Sequence, residues 1–139
     1  MNAFNYLNKI RKDLAKLKNY QVVIYGSFLS KYYIPYKSDI DIAIITQHQN
    51  KIKNITIWKD TFGVFNEKYD IKMFELLPLY LKIEVIKNYQ VLFGDALEIS
   101  EYFYHYRSIW KDMSVRIKTN RFKTISEKME LIEKRADAL

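Results

Sequence analysis

Two short motifs, each joined to an apolar run, constrain this chain more than any other feature. Gly26-Ser27 follows Val22, Val23, Ile24 and Tyr25, and Ser38-Asp39-Ile40-Asp41 opens a second run that ends at Ile45. Apolar runs of this length, bounded by turn residues, predict strands. Along a strand, side chains two apart share a face. Asp39 and Asp41 are therefore predicted to project together, with Ile40, Ile42 and Ile44 on the other face. Adjacent carboxylates repel each other unless a cation lies between them. Hard divalent cations such as Mg2+ take oxygen ligands and are commonly shared with substrate phosphates. The pattern predicts a metal–nucleotide site, with Gly-Ser at the phosphate tail and the aspartates on the metal. A solvated strand edge or an ordinary helix cap would account for either motif alone, but less readily for both together.

The two motifs resemble the signature of the minimal nucleotidyltransferases, a branch of the DNA polymerase β superfamily. Tyr69-Asp70-Ile71-Lys72-Met73-Phe74 is similar to that family's third motif, a strand with an aspartate between hydrophobic residues. Residues 86–95 are similar to the segment that closes these small domains. The resemblance implies an α/β (α+β) fold: a polymerase β-like core with a small mixed sheet flanked by helices, and a C-terminal helical extension. It divides the chain into a minimal nucleotidyltransferase domain at 1–95 and a helical extension at 96–139, packed on the core or facing a partner. There are two departures. Ser30 and Lys31 stand where many members carry Arg-Gly, and the spacing from Ser27 to Asp39 is one residue longer than in many of them.

Nucleotidyl transfer joins an acceptor oxygen to the α-phosphorus of a nucleoside triphosphate and expels pyrophosphate. Two cations about 3.5–4 Å apart activate the attacking oxygen and stabilise the leaving group, so carboxylates must converge. Asp39, Asp41 and Asp70 are the expected catalytic residues and metal ligands, for two Mg2+ ions. Asp39 and Asp41 would bridge the metals, and Asp70 would serve the acceptor side and help take the acceptor proton. Glu67 and Glu75 are rival third carboxylates. Glu67 falls before the strand, and Glu75 falls on its opposite face. The nucleotide-binding candidates are Gly26, Ser27, Ser38 and Lys72. Gly26 lets the backbone approach a phosphate, Ser27 sits at a helix start that favours anions, and Lys72 shares a strand face with Asp70. Lys31 and Lys37 are further candidates to neutralise a triphosphate. His48 and His105 lack a second ligand at a metal spacing and read as structural or surface residues.

The length of 139 residues suits one domain, or one domain with an appendage. Hydrophobic residues make up 49%, enough for a core, and twelve Tyr and eight Phe are set against three Gly and two Pro. That balance excludes collagen-like and linker-rich classes. No run approaches the roughly 18 apolar residues of a membrane span. The start, MNAFNYLNKIRKDL, is too polar for a signal peptide. With no Cys, a disulfide framework and a Cys-based zinc site are excluded. The expected setting is the cytoplasm, without membrane contact. A net charge of +7 favours polyanions: nucleotides, RNA or an acidic partner. No Lys/Arg block or RNA-binding aromatic motif selects nucleic acid among these. Periodicity predicts helices over 2–18, 27–33, 50–66, 78–88 and 95–119 and from 124 onward, and strands over 21–25, 39–46, 69–75 and 90–93.

The chain has no room for the fingers and thumb domains of a polymerase, and it is shorter than the antibiotic-modifying relatives. The resemblance therefore points to stand-alone members that act as antitoxins beside HEPN-domain ribonuclease toxins. It implies ATP as substrate, a tyrosine of a HEPN-type toxin encoded nearby as acceptor, and a hetero-oligomer of the two chains. No Arg-x(4–6)-His motif of the HEPN kind occurs here, which makes the toxin a separate chain. Two alternatives stay open. One is a non-catalytic module that sequesters a partner, and the other is nucleotidyl transfer to RNA or a small molecule.

Overall fold

The computed structural model of the protein describes residues 3–29, 39–61 and 67–137. Its elements run α1 (Ala3–Asp13), β1 (Gln21–Tyr25), β2 (Ile40–Ile45), α2 (Lys51–Asp60), β3 (Tyr69–Met73), α3 (Leu79–Lys87), β4 (Tyr89–Phe93) and α4 (Ala96–Asp137). Short 3-10 turns at Ala15–Leu17, Gly26–Leu29 and Phe74–Leu76 follow α1, β1 and β3. The strands form one mixed sheet in the order β3-β2-β1-β4. The β1/β2 and β1/β4 pairs are antiparallel and β2/β3 is parallel.

The alternation seen in the sequence divides the core in two. Val22, Ile24, Ile40, Ile42 and Ile44 face α1, where they pack against Ile10 and Leu14 with Ile57 and Trp58 of α2 alongside. Val23, Ala43 and Ile45 face the other way, against Ile83 and Ile86 of α3 and Ile99 and Phe103 of α4. Helices thus cover both faces, and for that reason the central strands are apolar on both sides. The Trp58 indole fixes α2 to the sheet edge by donating to the Ile71 carbonyl at 2.8 Å.

Several predicted boundaries change. The helix expected over 50–66 ends at Asp60, and the strand expected over 69–75 gives way to a 3-10 turn after Met73. The helix expected from Ser27 is a 3-10 turn over its described residues. The first helix stops at Asp13 and its remainder tightens into a 3-10 turn. The two helical stretches expected after Asp95 are one helix of 42 residues. No Gly or Pro follows Gly94, so nothing in the backbone interrupts it. Asp95 caps its start, accepting from the Glu98 N–H at 3.0 Å. Among the described residues, no helix is long and apolar enough to cross a membrane.

Candidate active site

Strand register assembles the site. The parallel β2/β3 ladder places Asp70 beside Asp41, and the antiparallel β1/β2 ladder places Tyr25 on Asp41's other side. Asp41 continues the Ala43 face. It is half-buried, whereas Asp39 stands exposed just before the strand. Two residues beyond Asp70, Lys72 brings its ammonium Nζ to 3.6 Å from Asp70 Oδ2. Both side chains are well over a third exposed, so this ion pair adds little to stability.

The electrostatics record how close these groups lie. Burial pushes the Asp41 carboxyl above the ordinary carboxylate value, and the charges of Asp70 and then Asp39 push it further. Lys72 acts in the opposite sense. The Tyr25 hydroxyl is raised well above its usual value, first by burial and then by Asp41 and Asp70. The site therefore concentrates negative charge in a partly desolvated place, an arrangement typical of functional sites.

Gly26 has a local reason to be glycine. Its φ is +76°, and a Cβ built there would lie 2.6 Å from Asp41 Oδ2. The motif glycine thus makes room for the motif aspartate. Ser27 follows in the 3-10 turn Gly26–Leu29 and is partly buried. Phe28 of the same turn packs on Tyr6 with ring centroids 5.3 Å apart, tying the turn to α1. Ser38, Lys31 and Lys37 lie outside the described residues, as do Ser30 and Pro35.

The rival carboxylates are placed elsewhere. Glu67 is exposed ahead of β3. Glu75, in the 3-10 turn after β3, accepts from the Thr46 N–H at 3.0 Å, the Thr46 hydroxyl at 3.1 Å and the Tyr102 hydroxyl at 2.8 Å. It serves as a structural clamp between the sheet and α4. His48 and His105 are both exposed, and His105 packs edge-on against Tyr106. Sequence reasoning missed Tyr25 as a neighbour of the carboxylates, because only the β1/β2 register sets it opposite Asp41.

Among the described residues, no group of three or more His, Asp or Glu side chains could hold a metal ion by itself. The donor set nonetheless suits Mg2+. That ion is usually held by one or two carboxylates together with substrate phosphates, not by an all-protein cage. The register pair Asp41 and Asp70 supplies hard oxygens of that kind.

A mixed sheet with paired aspartates beside a glycine turn is the arrangement that the resemblance to the nucleotidyltransferases implies. Residues 8–98 match the family described as Polymerase beta, Nucleotidyltransferase, and the chain belongs to that family. It is 45% identical over 114 residues to a Methanocaldococcus jannaschii protein provisionally named a protein adenylyltransferase, covering 82% of this chain and 88% of that one. Its fold is similar to chains in solved toxin–antitoxin structures. One, solved with AMP-PNP, superposes with a TM-score of 0.62 at 17% identity, covering 86% of this chain and 98% of that one. Another contains a tri-AMPylated HEPN toxin of Shewanella oneidensis in complex with its MNT antitoxin; it gives 0.56 at 16% identity, covering 86% and 95%.

Proposed function

We propose that this protein is a cytoplasmic, Mg2+-dependent adenylyltransferase that moves AMP from ATP to a tyrosine hydroxyl of a HEPN-type toxin and so acts as its antitoxin. The observation that carries the reading is the register of Asp41 beside Asp70, with Gly26 held against the Asp41 carboxylate. The relative named for protein adenylylation and the fold shared with MNT antitoxins supply the direction.

In this reading Asp39, Asp41 and Asp70, together with the phosphate oxygens of the substrate, would hold two Mg2+ ions. When bound, the metal supplies charge neutralisation at the phosphates and lowers the pKa of the attacking hydroxyl. Gly26, Ser27 and Ser38 receive the triphosphate, and Lys72 balances its charge. The acceptor oxygen bonds to the α-phosphorus as the bond to pyrophosphate breaks, and Asp70 takes the acceptor proton. Residues 1–95 form the catalytic unit. Within 96–139, the turns up to Trp110 complete its core, and the stretch beyond them meets the partner.

The test is transfer of α-phosphate-labelled ATP, with Mg2+, onto the product of the neighbouring gene. Label on a tyrosine of that protein, lost with Asp41→Asn, is the expected result. An unlabelled but stable complex would instead identify a sequestering module. Label on nucleic acid would move the acceptor to RNA.

A further inference from the structure

The opposite end of the sheet from the carboxylates holds a cavity of about 400 Å³. Gln21 pairs with Ile45 there, four register steps from the Tyr25–Asp41 pair, or roughly 13 Å at 3.3 Å per residue. The cavity is therefore distinct from the candidate active site, and its size falls in the range of small-molecule pockets.

Its wall is built by an unusual turn. Gln47 adopts φ +60°, a left-handed conformation seldom taken by residues other than Gly, Asn or Asp. The Glu75 carboxylate receives the successive N–H groups of Thr46 and Gln47 at 3.0 and 3.3 Å, which holds the turn in place. The turn delivers the Gln47 side chain to Gln21 and Glu98. Gln47 Nε2 donates to Gln21 Oε1 at 3.0 Å and to Glu98 Oε1 at 3.3 Å.

These contacts fix the polarity of both amides. A carboxylate only accepts, so the Gln47 atom facing Glu98 is the NH2 group. That group points its other hydrogen at the Gln21 carbonyl. The Gln21 NH2 then remains as a donor and the Gln47 carbonyl as an acceptor, one on each of two linked amides of residues that line the cavity. Tyr20 and Ile57, both partly buried, add apolar surface, and Ile45 lies buried beneath. A planar heterocycle with a hydrogen-bond donor beside an acceptor complements this wall. Nucleobases have such edges; a single Gln amide meets an adenine edge with its own donor and acceptor, and here two linked amides supply one each.

We propose that this cavity is a second binding site of the protein, one that takes the base of a free nucleoside or nucleotide. A nucleic acid strand fits less well. Its binding rests on Lys and Arg against phosphates, and among the described residues no Lys or Arg lines the cavity, whereas Glu98 does.

The test is an NMR titration of the full chain with adenosine in EDTA, where no metal and no phosphate can engage the carboxylates. Saturable shifts of the Gln21 and Gln47 side-chain amides and the Glu98 backbone amide are expected. Gln47→Gly, which keeps the left-handed turn, and Gln21→Leu should each weaken binding by roughly tenfold or more, the scale of lost hydrogen bonds to a base edge. Asp41→Asn should bind as the parent does. The proposal is overturned by the absence of saturable shifts at these three residues, by undiminished binding in both glutamine variants, or by loss of binding in Asp41→Asn. Tighter, salt-sensitive binding of an oligoadenylate would overturn it in favour of RNA.

Discussion

Asp41 is held where its own charge is unwelcome. Burial and the neighbouring Asp70 and Asp39 raise its carboxyl above the ordinary 3.8. The unfolded chain therefore releases this proton at lower pH than the folded one. Stability falls as pH rises through the window between the two values, and the deficit persists at neutral pH. Asp41→Asn removes that charge. Thermal melts in EDTA are expected to give the variant a higher Tm than the parent at pH 7, with the gap closing below about pH 4. A lower Tm at neutral pH would mean that the carboxylate makes a structural bond. Adding Mg2+ and ATP should raise the Tm of the parent and leave the variant unmoved, since only the parent gains a bound ligand. Gly26→Ala attacks the same carboxylate from the backbone. The left-handed φ costs a non-glycine residue about 1–2 kcal/mol, and its Cβ would stand 2.6 Å from Asp41 Oδ2. Chemical denaturation should show a loss of about 1–3 kcal/mol, and adenylyl transfer should fall further than that loss accounts for.

The helices differ in what they lean on, and α4 differs along its own length. Its first turns bury Ile99 and Phe103, with Tyr102, Tyr106 and Trp110 packed around them. Phe103 meets Phe74 at 4.9 Å and Tyr89 at 4.8 Å between ring centroids. Farther on, Val115, Ile125 and Met129 are each more than half exposed. Phe103→Ala is therefore expected to cost about 3–5 kcal/mol in urea unfolding, whereas Met129→Ala should stay within about 0.5 kcal/mol of the parent. An equal cost at both positions would mean that the distal stretch packs on its own domain. The same contrast explains what could be read from the chain beforehand. Strands β1, β2 and β4 are legible as apolar runs and β3 through its likeness to the family motif, and the shared face of Asp70 and Lys72 follows from a period of two. Register does not, because it is set by contacts between runs distant in sequence. For that reason the sequence does not show Tyr25 beside Asp41, nor that Gly26 also clears room for the Asp41 side chain. Gln47 carries no local signal at all, since its turn is held by Glu75 from another strand's end. The break expected near residue 120 came from a shift in apolar pattern, but a shift of pattern does not stop a backbone that lacks Gly and Pro.

The molecule as a whole carries +7 at neutral pH, with an isoelectric point near 9.4, yet its candidate site concentrates aspartates. These two facts act at different ranges. Surplus Lys and Arg draw a polyanion such as ATP toward the surface, and that attraction is screened as the Debye length shrinks from about 10 Å at 0.1 M salt to about 3 Å at 1 M. Contacts at the site itself lie within a few ångströms and escape most of the screening. Raising the salt over that range should therefore lift the KM for ATP several-fold while kcat stays nearly constant, because an encounter term contributes to binding and not to the chemical step. Initial rates at saturating acceptor, measured at several salt concentrations, separate the two. A falling kcat at constant KM would place the salt-sensitive step after nucleotide binding, in docking of the acceptor chain, and would assign the basic surplus to the partner instead of to the nucleotide.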